Sequence, residues 1–192
     1  MTALDATRLP VEVPWIIFVI YWLLSALNTK RARSRESFLS RYGILLIEVS
    51  GFVLLFREDA GIGVLGRRLF PRTAILAALG TALVWLGIAV SIWARYHLGQ
   101  YWSGRVTIKE DHQLIRTGPY AVMRHPIYSG LVLAASGSAL AIDRWRCALG
   151  VGLILLGYGL KARKEEAMLS QQFGEAFEEH RKHTGFLIPR LR

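Results

Sequence analysis

The sequence predicts an all-α, multi-pass integral membrane protein, and three observations lead there. The 192-residue chain is 53% hydrophobic, with a positive mean hydropathy. Its apolar residues gather into five stretches, roughly 13–27, 38–56, 73–96, 127–142 and 147–160. Despite that apolarity it carries a net charge of +10. A soluble basic nucleic-acid binder is not expected to be so apolar. Basic loops between membrane helices reconcile charge with hydropathy, so the expected partners are membrane lipids rather than nucleic acid. The length suits one domain, residues 1–192.

The first stretch follows Asp5 and Glu12, with Arg8 as the only nearby cation and no small-residue cleavage site, so it reads as a retained anchor. The second contains Glu48, an ionisable group inside an apolar helix and so a functional candidate; a structural hydrogen bond or simple protonation is the competing reading. The third ends near Tyr96. Only Asp143, Arg144, Trp145 and Arg146 separate the fourth from the fifth, which predicts a tight helical hairpin. Several stretches fall short of the ~20 residues that cross a bilayer, and interfacial turns or local thinning would accommodate them. Trp15, Trp22, Trp93, Trp102 and Trp145 lie near segment ends, as an aromatic belt requires. Past Leu160, Leu169, Phe173 and Phe177 repeat at helical spacing, predicting an amphipathic helix to about His183, with His180 and His183 on its surface.

Seventeen of the 24 basic residues fall around 28–41, around 95–125 and after residue 160. The positive-inside rule then places the N-terminus outside and the C-terminus in the cytoplasm. The single cysteine, Cys147, excludes an intrachain disulfide and a multi-cysteine metal site, and the histidines show no zinc-ligand spacing. No metal is expected.

Two blocks carry chemistry. Arg124-His125-Pro126-Ile127-Tyr128-Ser129-Gly130 opens the fourth stretch. Pro126 suits the first helical position, where no N–H is needed, and His125 then falls at the cap. The helix start beyond it favours an anion. Lys161-Ala-Arg-Lys-Glu165-Glu166 closes the fifth stretch, and Lys161 and Glu165 share a face. Together the blocks suit a small zwitterion. The 97–125 segment between stretches is too rich in aromatics for disorder and reads as a folded lid. Gly61-Ile-Gly63-Val-Leu-Gly66 matches a dinucleotide fingerprint in letters alone, because no βαβ unit surrounds it. Gly150/Gly157 and Gly152/Gly159, each seven apart, are expected to pack against the Gly130/Ser136/Gly137 stretch.

Gly118-Pro119-Tyr120, the Arg-His-Pro-x-Tyr-x-Gly block, Glu165-Glu166-x-x-Leu169 and Phe173-Gly174 resemble the isoprenylcysteine carboxyl methyltransferases, to which phospholipid N-methyltransferases are related. The likeness runs from about His97 to Pro189. It implies a membrane enzyme with three N-terminal helices over 1–96 and a cofactor-binding half over 97–192, acting with S-adenosyl-L-methionine on a lipophilic or prenylated acceptor. It also implies cofactor contacts at His112, Gln113, Leu114, Ile115, Tyr120, His125, Pro126, Ile127, Tyr128 and Glu165. A family arginine thought to serve the substrate carboxylate falls at Lys161, which keeps the charge but loses the bidentate fork. A phospholipid amine as acceptor, a nicotinamide-dependent membrane reductase and a non-enzymatic membrane protein remain the alternatives.

Overall fold

The computed structural model describes residues 5–27, 38–71, 73–102 and 114–190. Each apolar stretch forms a helix: α1 Asp5–Ala26, α2 Phe38–Phe56, α3 Ala74–Leu98, α4 Pro126–Ile142 and α5 Trp145–Phe173, followed by α6 Glu175–His183. Among the described residues there is no strand, only an isolated parallel bridge between Met123 and Gly185. Two segments, Ala74–Tyr101 and Trp145–Phe173, are long and apolar enough to cross a membrane; Pro10–Ala26, Tyr42–Phe56 and Pro126–Ile142 are shorter apolar helices. Ile16, Ile20, Leu23, Leu24, Leu46, Ile75 and Leu86 are all more than half exposed, an apolar exterior that suits lipid rather than water.

Local chemistry sets the helix ends. The Thr73 hydroxyl accepts the Leu76 N–H at 3.2 Å and starts α3. Asp143 stops α4 in the left-handed region, φ 57°, which a short polar side chain tolerates. Gly174, at φ 50°, stops α5. This last break corrects the expected single tail helix: α5 runs unbroken from its apolar half through Lys161 and Glu165 to Phe173, and α6 is separate.

The link between α4 and α5 is Asp143–Arg144, shorter than the four residues expected, and the helices it joins find other main partners. α4 packs chiefly on α3, and α5 on α2. Small residues decide this. A Cβ on Gly80 would lie 2.6 Å from the Gly137 carbonyl, and one on Gly137 would lie 2.5 Å from that of Gly80. Gly87 and Gly130 abut in the same way one step along the seam. On the other side, a Cβ on Gly51 would come within 2.8 Å of the Gly150 carbonyl. The glycine expectation is therefore corrected: Gly150 and Gly157 face α2, not α4, and Gly152 and Gly159 meet nothing within 4 Å. Between membrane helices, where lipid is as apolar as Leu, close backbone approach supplies much of the attraction.

α1 closes the remaining side. Trp15 Nε1 donates to Ser138 Oγ at 3.0 Å. The Trp15 ring meets Phe52 edge-on at 5.5 Å, and Trp22 meets Trp102 at 5.0 Å. The Gly61–Gly66 segment lies in short 3-10 turns between α2 and α3, without the βαβ frame of a nucleotide site.

Candidate active site

A 3-10 turn, Gly118–Ala121, leads the chain into α4 with Pro119 and Tyr120 buried. The stretch after it is held by the C-terminal segment. Arg124 N–H donates to the Gly185 carbonyl at 2.9 Å, His125 N–H to that of Phe186 at 3.3 Å, and Gly185 N–H to that of Val122 at 3.0 Å. His125 is the cap of α4 and Pro126 its first residue, and no side chain caps the first turn.

His125 is 5% exposed. Its Nε2 lies 3.2 Å from Glu166 Oε1 and its Nδ1 3.5 Å from Glu165 Oε2. A ring with a carboxylate at each nitrogen acts as a double donor, the imidazolium form. Burial works against that charge, but hydrogen bonds to Glu165 and Glu166 outweigh it and raise the His125 pKa above its ordinary value. Arg124 Nε donates to Glu166 Oε1 at 2.5 Å, and its Nη1 donates to the Thr184 carbonyl. Tyr128 Oη donates to Glu165 Oε1 at 2.5 Å. The Tyr128 ring stacks on His125 at 5.7 Å and on Tyr158 at 4.9 Å, and Lys161 Nζ lies 5.5 Å from its centre. Burial, then the field of Glu165, raises the Tyr120 pKa and keeps its phenol neutral.

Tyr128 stands at the edge of an apolar cavity. A space of about 200 Å³ is lined by Phe18, Trp22, Glu48, Trp102, Ile127, Tyr128, Leu131, Tyr158 and Lys161. A smaller one, about 60 Å³, is lined by Leu98, Leu114, Ile115, Tyr120, Arg124, Leu169, Phe177 and His180. Among the described residues no group of three or more His, Cys, Asp or Glu side chains is arranged to hold a metal.

The structure thus brings His125, Tyr128 and Glu165 into one network, although 37 to 41 positions separate the two blocks. Leu114, Ile115 and Tyr120 share the smaller cavity, while Ile127 and Lys161 line the larger. Pro126 is buried at the start of α4. His112 and Gln113, with residues 103–111 of the expected lid, lie outside the described residues. Sequence reasoning missed the parts played by Arg124, Glu166 and Tyr158. It also missed Arg95, which is buried at the end of α3, donates to the Gly99 and Ser25 carbonyls at 2.6 Å each and lies over Trp102. An arginine in the last turn of an apolar helix was the available signal. His180 is a correction: expected on the surface, it is buried beside Phe177, while His183 is exposed and paired with Glu179 at 2.9 Å.

The model of the isoprenylcysteine carboxyl methyltransferase family matches residues 78–171, which run from α3 through the Glu165–Glu166 corner. The chain belongs to this family. A Schizosaccharomyces pombe protein-S-isoprenylcysteine O-methyltransferase is 33% identical over 99 residues, covering 50% of this chain and 42% of the relative. The Saccharomyces cerevisiae protein of the same name is 26% identical over 178 residues, 90% of this chain and 74% of the relative. A nickel-cobalt-cadmium resistance protein, NccN, of Alcaligenes xylosoxydans xylosoxydans is 30% identical over 157 residues, 81% of this chain and 68% of the relative. The chain therefore spans under half of the first of these isoprenylcysteine relatives. The family match ends before α6 and the C-terminal segment that clamps His125.

Proposed function

We propose that this protein transfers a methyl group from S-adenosyl-L-methionine to a lipophilic acceptor, most simply a prenylcysteine-type or other isoprenoid carboxylate, at the cytoplasmic membrane face. The observation that carries the reading is the position of Tyr128. One face of its environment is the Glu165–His125–Glu166 network and the other is an aromatic cavity of about 200 Å³. A polar ligand and an apolar one can meet only where two such surfaces share an edge. Membership of the family, and the names of two relatives, supply the chemical class.

The residues fit the cofactor by the chemistry of the donor set. S-adenosylmethionine, when bound, supplies an electrophilic methyl group on a sulfonium. Glu165 would accept from its ammonium or ribose donors. The α4 start, with no side-chain cap, would receive its carboxylate. Leu114, Ile115 and Tyr120 would offer apolar and aromatic surface to its base. Lys161 would orient an acceptor carboxylate, and a carboxylate nucleophile needs no general base. This chain's contribution is then positioning and the exclusion of water by Trp22, Trp102 and Tyr158.

In this reading all five apolar helices sit in the membrane, with the N-terminus outside and both blocks on the cytoplasmic side. Accessibility labelling that finds the C-terminus outside refutes that orientation. The decisive experiment for function is titration of the purified protein in detergent with S-adenosylhomocysteine and with NADPH, followed by a screen of lipid acceptors with labelled S-adenosylmethionine. Binding of S-adenosylhomocysteine together with methyl transfer to an isoprenoid carboxylate is expected. Binding of NADPH instead would replace methyl transfer with the reductase reading, and transfer only to a phospholipid amine would change the acceptor class.

A further inference from the structure

Arg95 is a buried cation to which methyl transfer assigns no part, and its partners lead to one wall of the larger cavity. α3 ends at Gly99, φ 53°, and the chain passes through the 3-10 turn Gly99–Tyr101 to Trp102. Arg95, in the last turn of α3, is 3% exposed. Its Nη1 donates to the Gly99 carbonyl at 2.6 Å, and the Trp102 N–H donates to the same oxygen at 3.3 Å. Its Nη2 donates to the Ser25 carbonyl of α1, also at 2.6 Å. Ser25 Oγ reaches back to the Trp22 carbonyl at 3.1 Å, so this tie falls in the turn that carries Trp22. The guanidinium carbon lies 4.6 Å from the centre of the Trp102 ring. Trp22 and Trp102 then meet edge-on, 5.0 Å apart at 80°, and both line the cavity of about 200 Å³.

One planar group thus holds two carbonyls, on two helices' ends, and one aromatic ring. An ammonium is a point charge on a flexible stem, whereas a guanidinium offers separated donors in its plane and a flat face for stacking. Two carbonyls alone call for no charge, and neutral donors would bond them without burying one. The ring gives the charge its purpose, because a cation over an indole face is attracted more strongly when water is excluded. Trp15, about two turns before Trp22, ties α1 to α4 through Ser138 Oγ at 3.0 Å. Between that tie and the one at Ser25, Phe18 and Trp22 pack 4.7 Å apart and line the cavity. We propose that Arg95 is a positioning residue that holds the Trp22–Trp102 pair as a wall of the larger cavity, and so sets how tightly a lipophilic molecule binds there. It acts through Trp102 and touches neither cofactor nor reacting atoms. The proposal rests on the reading of this cavity as the acceptor's; the cofactor site does not enter it.

The test uses the full chain in detergent, with S-adenosylhomocysteine and N-acetyl-S-farnesylcysteine as probes. Each is titrated by calorimetry into the parent, Arg95→Lys, Trp102→Leu and the double variant. Lysine keeps the charge and loses the fork. Arg95→Lys and Trp102→Leu are each expected to weaken N-acetyl-S-farnesylcysteine about tenfold and to leave S-adenosylhomocysteine within about twofold. The double variant should bind within about twofold of Trp102→Leu, because a residue that acts through the ring adds little once the ring is gone. An arginine with a structural role alone would lower the melting temperature at an unchanged ratio of the two affinities, or add its full loss to that of Trp102→Leu. Either result overturns the proposal, as does parent-level binding of N-acetyl-S-farnesylcysteine by a folded Arg95→Lys. If the Lys variant does not fold, Trp102→Leu, which leaves both carbonyl bonds of Arg95 in place, must still weaken that probe; parent-level affinity overturns the proposal. No binding of the probe by the parent overturns it too, while S-adenosylhomocysteine still reports on the cofactor site. Methyl transfer from labelled S-adenosylmethionine is measured alongside. The expected affinities without transfer keep Arg95's role and remove the methyltransferase reading; transfer with one acceptor KM in the parent and in Arg95→Lys does the reverse.

Discussion

The α4–α5 pair carries charge at both ends, and the two ends use it differently. Where α4 meets α5, each polar side chain ties down backbone. Arg146 Nη1 donates to the Leu54 and Leu55 carbonyls at 2.5 and 2.8 Å, and Arg144 to that of Gly66 at 2.8 Å. Asp143 Oδ1 accepts the N–H groups of Leu69 and Phe70 at 3.1 and 2.9 Å. These bonds satisfy the end of α2 and the connection into α3, and a ligand would have to break the fold to reach them. At the opposite end the polar groups bond mainly to one another: His125 to Glu165 and Glu166, Arg124 to Glu166, Tyr128 to Glu165. Such pairs can exchange partners with a bound molecule while the backbone stays in place. The same residue types therefore act as rivets at one end and form the proposed binding surface at the other, and the identity of their partners makes the difference.

If that contrast is right, Arg146→Met gives the largest effect on folding. It strips a charged donor from two buried carbonyls, and a loss of about 3 kcal/mol in unfolding free energy is expected. S-adenosylhomocysteine affinity of the remaining folded protein should be unchanged, as measured by calorimetry. A weakened cofactor in that variant would mean that the two ends are coupled.

Glu165→Gln should do the opposite. About a thirtyfold loss of S-adenosylhomocysteine affinity, roughly 2 kcal/mol, is expected from removing a charged acceptor, with little change in melting temperature. A large fall in melting temperature at unchanged affinity would make this corner a rivet as well.

Lys161→Met sharpens the division within the corner. Turnover should fall about tenfold, as expected when a charge that orients the acceptor is removed, while cofactor affinity stays within about twofold. Lys161→Arg should restore most of the rate if the acceptor is an anion. Parent-level turnover in the Met variant would leave Lys161 as an interfacial anchor whose stem covers apolar surface.

The smallest effect is a pH dependence. His125 has its folded pKa raised above 6.5, so its pairing with Glu165 and Glu166 contributes stability that is fully present below that value. The contribution fades as pH rises through the raised folded pKa. Thermal unfolding of the parent relative to His125→Asn should show the parent's advantage shrinking over that window. An advantage that grows with pH would show that His125 is held neutral.

Much of the fold was legible in the residues because the membrane simplifies the pattern. Apolar run length marked all five helices, and Pro126, Asp143 and Gly174 act within a turn of where they stand, although the break at Gly174 emerged only in the folded chain. Of the site, the two polar blocks were visible, but the Tyr128–Glu165 bond was not, and Glu165 lies inside α5 rather than at its end. Glycine partners were not legible. Gly150 and Gly157 had an obvious neighbour in α4 by sequence, yet they pack on α2, because a seven-residue spacing states which residues share a face but not which helix the face meets.

The sequence by itself determined the five apolar helices and the charges near their ends, since each depends on neighbours within a few residues. Only the tertiary structure decided that α4 lies on α3 and α5 on α2, that Glu166 rather than Glu165 takes Arg124, that His180 is buried, and that Glu48 shares a cavity with Lys161. Those outcomes depend on how closely two backbones can approach. For the helix pairings, the seams where glycine removes the obstacle settled them.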